Sequence, residues 1–274
     1  MMNKLVIKDG NIKLKETEDI SLKIRKASKF IDVTALQIKI KKDIDLAIEY
    51  DCEDIKLDIT INILKGVKAH IYEIKKDGKY KLKCKFNLEK DASLIIEKIN
   101  DVKQINELTV VNLNGENAKV DYILKTISKY NEKYNFLVYH NAKKTTSDIK
   151  NNGVNILEGI LEFNVSSFVP KGIIKCDASQ SARIINETKN ICAIKPNLFI
   201  DEQDVSASHS ALIGTFSKDE IFYLMSRGID EKKSQKILSK GFLLKGITLY
   251  KDNLESIINK YWGWKKWTEM ILIY

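Results

Sequence analysis

The chain has 274 residues, 44% hydrophobic and 30% charged, with a formal net charge of +9. That length is ample for a buried core, and no run approaches the ~20 apolar residues of a membrane-spanning helix. Lysines are scattered among acids along the whole chain and base-stacking aromatics do not interleave with them, so the positive balance is read as compositional bias and no nucleic-acid partner is expected.

Residues 1–30, beginning MMNKLVIKDGNIKLKETEDI, carry charges every few residues and lack the apolar core of a secretory signal. A short N-terminal segment and a cytoplasmic location are the expectations. From Ala35 onward apolar residues recur with a period of two, the mark of half-buried strands. LQIKIKKDIDLAIEY alternates, as does IKLDITINILKGVKAHIYEIKKDGKYKLKCKFNLE, in which Asp77-Gly78 reads as a hairpin or tight turn. ASLIIEKINDVKQIN fits either a helix or another strand. Alternation resumes in LTVVNLNGENAKVDYILKTI, YNFLVYHNA, VNILEGILEFNV, GIIKCDA and ARIINE. The two prolines, Pro170 and Pro196, interrupt no clear strand. The pattern predicts a β-domain over 31–215, open between sandwich, barrel and solenoid because the strands show no fixed repeat.

At Ser217 the period changes. SKDEIFYLMSRG fits a capping box, with Ser217 as N-cap and Glu220 three positions on, and Gly228 is placed to stop the helix. A second helix is expected from Asp230 to Gly241, and a third in DNLESIINKYWGWKKW, ending near Gly263. Residues 216–274 thus read as a small helical domain. Phe222 and Leu224 are expected in its core, while Tyr223 and Arg227, four apart, share a face. Trp262, Trp264 and Trp267 are read as packing residues, with partner anchors as the alternative.

The four cysteines, Cys52, Cys84, Cys176 and Cys192, include no CxxC pair. Neither a zinc site nor a self-contained four-cysteine cluster is expected, and disulfides are not expected in a cytoplasmic chain. Cys52 and Cys84 read as small buried hydrophobes. No GxxxxGK[ST] loop is present, so no nucleotide site is expected.

The stretch KPNLFIDEQDVSASHSALIGTFSKDEIFYLMSRGIDEKKSQKILSKGF, Lys195 to Phe242, closely resembles the C-terminal signature of the SufB/SufD family of iron–sulfur cluster assembly scaffolds. The match runs through Lys195, Pro196, Leu198, Ile200, Asp204, Val205, His209, Gly214, Phe222, Tyr223, Leu224, Ser226, Arg227, Gly228, Ile229, Gly241 and Phe242. Upstream, His140, Thr146 and Ser147, then Phe168, Gly172, Ile173, Ile174 and Lys175, resemble earlier rungs, so the likeness covers about 105 to 245. The chain looks short for the family, without most of its N-terminal helical region.

The resemblance implies a mainly β fold: a right-handed parallel β-helix with a C-terminal helical domain. It implies a non-enzymatic scaffold subunit of the SUF complex. The helical domain would dock a SufC-type ABC ATPase, with Phe222, Tyr223, Arg227 and Gly228 as candidate docking residues. The second scaffold would be a SufB-like paralogue or another copy of this chain, with a transient iron–sulfur cluster at the subunit interface. His209 occupies the family's interface histidine, where a neutral imidazole can ligate iron. In the SufB branch a cysteine at the step of Cys176 is the proposed sulfur acceptor and cluster ligand, chemistry that a thiolate suits; the alternative is a plain side chain of the wall. Cys192 is a weaker candidate. SufB-type members flank the histidine with glutamates, but here Ser208 and Ser210 stand beside it, which tilts the reading toward SufD. Two alternatives stay open: a SufB-like scaffold of a single-scaffold system, and a β-solenoid binding module that has lost the assembly role. A sugar-active β-helix enzyme would want convergent carboxylates, and no such pattern is found.

Overall fold

The computed structural model describes residues 3–8, 11–14, 19–25 and 34–262. Two short antiparallel pairs come first: β1 (Asn3–Lys8) with β2 (Asn11–Leu14), and β3 (Ile20–Arg25) with β4 (Thr34–Ile40). Strands of 8–11 residues then follow in close succession. These are β5 (Ile44–Asp51), β6 (Asp54–Ile63), β7 (Lys68–Lys76), β8 (Lys79–Leu88), β9 (Ser93–Asp101) and β10 (Gln104–Leu113). They continue as β11 (Lys119–Ser128), β12 (Asn131–His140), β13 (Thr146–Asn155), β14 (Ile160–Val169), β15 (Cys176–Asn186), β16 (Ala193–Ile200) and β17 (Val205–Gly214).

From β4 onward successive strands fall in alternate sheets. One sheet runs β17-β15-β13-β11-β9-β7-β5-β1-β2 and the other β16-β14-β12-β10-β8-β6-β4-β3. From β4 to β17 each pair of strands makes one turn of a parallel β-solenoid, seven turns in all. The parallel β-helix implied by the resemblance is therefore formed. ASLIIEKINDVKQIN becomes β9 and β10, each hydrogen-bonded on both sides. Asp77-Gly78 is a tight turn but joins strands of different sheets, so it is a solenoid corner and no hairpin. A Cβ on Gly78 would lie 2.1 Å from the Cys52 carbonyl oxygen, which is why this corner needs glycine.

On the other side of the solenoid the five corners from β6–β7 to β14–β15 carry left-handed residues, among them Gly66, Asp91, Asn117, Lys144 and Lys175. Their N–H groups donate to the carbonyls of Lys90, Glu116, Lys143, Ile174 and Asp204, one turn further on, so the corners stack as the strands do. GIIKCDA is such a corner rather than a strand; only from Cys176 does it join β15. Pro196 sits inside β16 after all. It is tolerated because β16 is an edge strand and a proline lacks only the N–H of an unpaired side.

The interior is filled by alternate residues of both sheets, among them Leu46, Ile71, Leu82, Phe86, Ile96, Leu124, Val138 and Phe163. Each such side chain contributes about 1.5–3 kcal/mol on burial. One interior layer is charged. Lys75 Nζ lies 2.6 Å from Glu73 Oε2 and 3.4 Å from Glu107 Oε2, and Lys98 Nζ lies 2.5 Å from Glu107 Oε1 and 3.3 Å from Glu73 Oε2. Both ammonium groups face aromatic rings, Tyr50 at 4.7 Å and Tyr122 at 5.6 Å. Outside, in-register pairing makes ladders. Asn112 and Asn87 each donate to the asparagine one rung earlier, and Tyr139, Phe168 and Phe199 stack at 4.7 Å spacing.

The chain divides into two compact units, 1–213 and 214–274. The second holds α1 (Lys218–Met225), α2 (Glu231–Leu244) and α3 (Lys251–Trp262). The capping box forms as expected: the Glu220 N–H donates to Ser217 Oγ at 3.1 Å and the Ser217 N–H to Glu220 Oε2 at 3.0 Å. Asp230 caps α2 by accepting from the Lys233 N–H. Gly241 does not stop α2, because Leu243 continues its buried face; Gly246, at φ +84, follows the true end.

Candidate functional site

β17 is the outer strand of its sheet, so one whole side of its backbone is unpaired. His209 lies at its middle and is exposed, as are Ser208 and Ser210. The Ser210 hydroxyl meets that of Ser181 at 3.2 Å, which sets Ser210 opposite Ser181 across β15 and β17. Side chains alternate along a strand, so His209 stands opposite Gln180 on the other face. That face of β15 is the interior one, where Cys176, Ala178, Gln180 and Ala182 are buried. His209 thus caps the open end of the solenoid interior.

Cys176 is buried at the start of β15. Its sulfur is 3.2 Å from Thr145 Oγ1 and 3.6–3.8 Å from the carbonyl oxygens of Ala142, Ile174 and Ile173. Thr145 Oγ1 also meets His140 Nδ1 at 2.8 Å, and His140 Nε2 meets Ser147 Oγ at 3.0 Å. Burial pushes the His140 imidazole down to about 4, so it is neutral at pH 7. The family-motif residues His140 and Ser147 therefore form one buried chain of hydrogen bonds with the Cys176 thiol. Cys176 and His209 are not brought together: four residues of strand, about 13 Å, separate Cys176 from the position opposite His209. Cys192 is buried, and burial pushes its thiol up. Cys52 and Cys84 are core residues, as their alternation predicts. Among the described residues no three His, Cys, Asp or Glu side chains are grouped to hold a metal.

In the helical unit the expectation of a core role for Phe222 fails. Phe222 is 71% exposed, Tyr223 58%, and α1 has no buried residue, because a helix this short packs one narrow face on α2. Tyr223 and Arg227 do meet, with the guanidinium 5.3 Å from the ring centroid. Gly228 takes φ +81 just after α1 and Ile229 N–H reaches back to the Leu224 carbonyl, so its role as a stop is met. Trp264, Trp267 and the Trp262 side chain lie outside the described residues. Gln180 and Thr145 were not singled out from sequence; a polar residue at an inward strand position, as in SQSARII, is the signal that would have found Gln180.

The chain is thus a parallel β-solenoid that ends in an exposed, histidine-bearing edge strand and is followed in sequence by capped helices. Residues 59–242, more than half of the chain, match the sequence model described as "SUF system FeS cluster assembly, SufBD core domain", and the chain belongs to that family. Among relatives, it is 30% identical over 148 residues to the iron–sulfur cluster assembly protein SufD of Bacillus subtilis (strain 168), covering 53% of this chain and 34% of that protein. It is also 29% identical over 110 residues to a SufBD family protein of Staphylococcus haemolyticus, 38% of this chain and 23% of that one. A SufBD family protein of Mycobacterium tuberculosis (strain H37Rv) is 28% identical over 110 residues, 38% and 12%. The matched segments thus span about a third or less of these relatives. No helix among the described residues is long and apolar enough to cross a membrane.

Proposed function

We propose that the chain is a SufD-like scaffold subunit of an iron–sulfur assembly complex, that a second scaffold chain pairs on its terminal turn, and that an ABC-type ATPase docks on 216–274. The observation behind the reading is His209 exposed on an edge strand. One imidazole supplies one ligand, and the flanking serine hydroxyls supply none of the anionic oxygens that glutamates would. A cluster held by this residue therefore needs its other ligands from another subunit, and assembly belongs at an interface. The terminal turn suits one: its last strand is unpaired on one side, and Phe199 is 52% exposed, Leu212 54% and Ile213 41%. On α1, Phe222, Tyr223 and Arg227 are the aromatic and arginine types that anchor partners.

The test is co-expression with an ABC-type ATPase and a SufB-type scaffold, comparing the full chain, a chain truncated after Thr215, and His209→Ala. The truncated chain is expected to lose the ATPase and keep the second scaffold. His209→Ala is expected to keep both partners and lose cluster formation by at least about tenfold, the effect of removing a ligand-sphere group. Wild-type cluster levels with His209→Ala would favour a solenoid binding module that has lost the assembly role.

A further inference from the structure

Gln180 is 3% exposed, in the last interior layer of the solenoid. Its carboxamide spans to the other sheet: Nε2 donates to Ser167 Oγ at 2.7 Å and to the Asn197 carbonyl oxygen at 3.1 Å. A backbone carbonyl only accepts, so the nitrogen must face it and the amide orientation is fixed. The remaining atom, Oε1, is buried and meets no donor. An acceptor in that position is costly and calls for a donor. The Ser210–Ser181 contact places Gln180 directly opposite His209, about 5 Å away across adjacent strands and on the same face. Imidazole is the ring that could supply an N–H there.

We infer that Gln180 is a positioning residue for His209: its Oε1 accepts the hydrogen of one ring nitrogen, holding the imidazole in a single tautomer with the other nitrogen bare and turned to the open end. The inference rests on the proposed role of His209 but concerns this chain alone. A histidine ligand is commonly set this way, by an outer partner that fixes which nitrogen is free. Gln180 is rigid because both of its donors are tied to the opposite sheet, so the ring it holds is aimed by the solenoid and not by β17 alone.

The experiment is ¹⁵N chemical-shift measurement on the full chain with labelled histidine, at a pH where the imidazole is neutral. Two proteins are compared: wild type and Gln180→Met. Methionine fills the space without an acceptor oxygen. His209 is expected as one dominant tautomer in wild type. In Gln180→Met the tautomer ratio should shift by about fivefold, the equilibrium equivalent of one net hydrogen bond. His140, remote in the chain of bonds with Thr145 and Ser147, is the internal control for folding. An unchanged His209 ratio in Gln180→Met, with His140 shifts also unchanged, overturns the assignment. That result is independent of whether clusters form, so it is separable from a failure of His209→Ala.

Discussion

Glu132 sits on β12 with its carboxylate inside the solenoid. Thr126 donates to its Oε2 at 2.6 Å and Tyr134 at 2.8 Å, and Asn100 in turn donates to the Tyr134 hydroxyl. The other oxygen, Oε1, is buried without a partner. Burial raises its pKa, the two hydrogen bonds and Lys129 pull the other way, and the balance stands at about 7. The folded state therefore prefers the protonated acid. Below the usual carboxylate range both folded and unfolded chains are protonated and nothing is lost. As pH rises through 4.5 toward 7 the unfolded chain ionises first, and stability falls until the folded group ionises too. Glutamine keeps the acceptor for Thr126 and Tyr134 and cannot ionise. Glu132→Gln is thus expected to stabilise the protein at pH 8 by up to about 3 kcal/mol, at 1.36 kcal/mol per pKa unit, and to change little near pH 4. Urea unfolding at the two pH values reads the difference; an equal effect at both would contradict the account.

Strands were legible because alternation is a local property; their stacking was not. The register offset within the second sheet grows from 23 (Thr34 to Leu57) to 25 (Asp54 to Lys79), 25 (Lys79 to Gln104), 27 (Ile105 to Glu132), 29 (Asn131 to Ile160) and 31 (Glu162 to Ala193). Corners absorb the added residues, so no fixed period reaches the sequence. The ambiguity of ASLIIEKINDVKQIN has its own cause: Lys98 and Asn100 occupy inward positions where apolar residues would have marked a strand. The site divides in the same way. His209 was legible from its motif, while Gln180 acquires its role only from the rung opposite. The charged layer that hid β9 also predicts a mutational pattern. For Glu107, burial raises the pKa, but the ammonium groups of Lys75 and Lys98 override it and hold the carboxyl near 2. Glu107→Ala would leave two ammonium groups facing the single carboxylate of Glu73, at a cost of about 3–5 kcal/mol. Replacing Glu73, Lys75, Lys98 and Glu107 together by Leu and Met should recover most of that loss. Chemical denaturation midpoints for the two variants decide; a fourfold replacement less stable than Glu107→Ala would mean that the layer itself sustains the fold.

A solenoid is quasi-one-dimensional, each turn resting on its two neighbours, so stability should fall off where a neighbour is missing. β10 and β12 have strands on both sides and alternate residues buried. β17 has a strand on one side only, and its eight residues from Ser206 to Ile213 are all exposed. Nothing in β17 buries enough apolar area to hold it as the central strands are held, so it should open by fraying without unfolding the rest. Native-state hydrogen exchange is expected to show the β17 amides exchanging at least about 100-fold faster than those of β10 and β12. The same physics gives the whole-molecule form of the proposed function. A second scaffold chain laid along β17 supplies the missing neighbour, so its binding should bring β17 protection up toward that of β15 while leaving β10 and β12 unchanged. Protection that rises first at the opposite end, in the edge strands β2 and β3, would place the partner at that end of the solenoid and remove His209 from the interface.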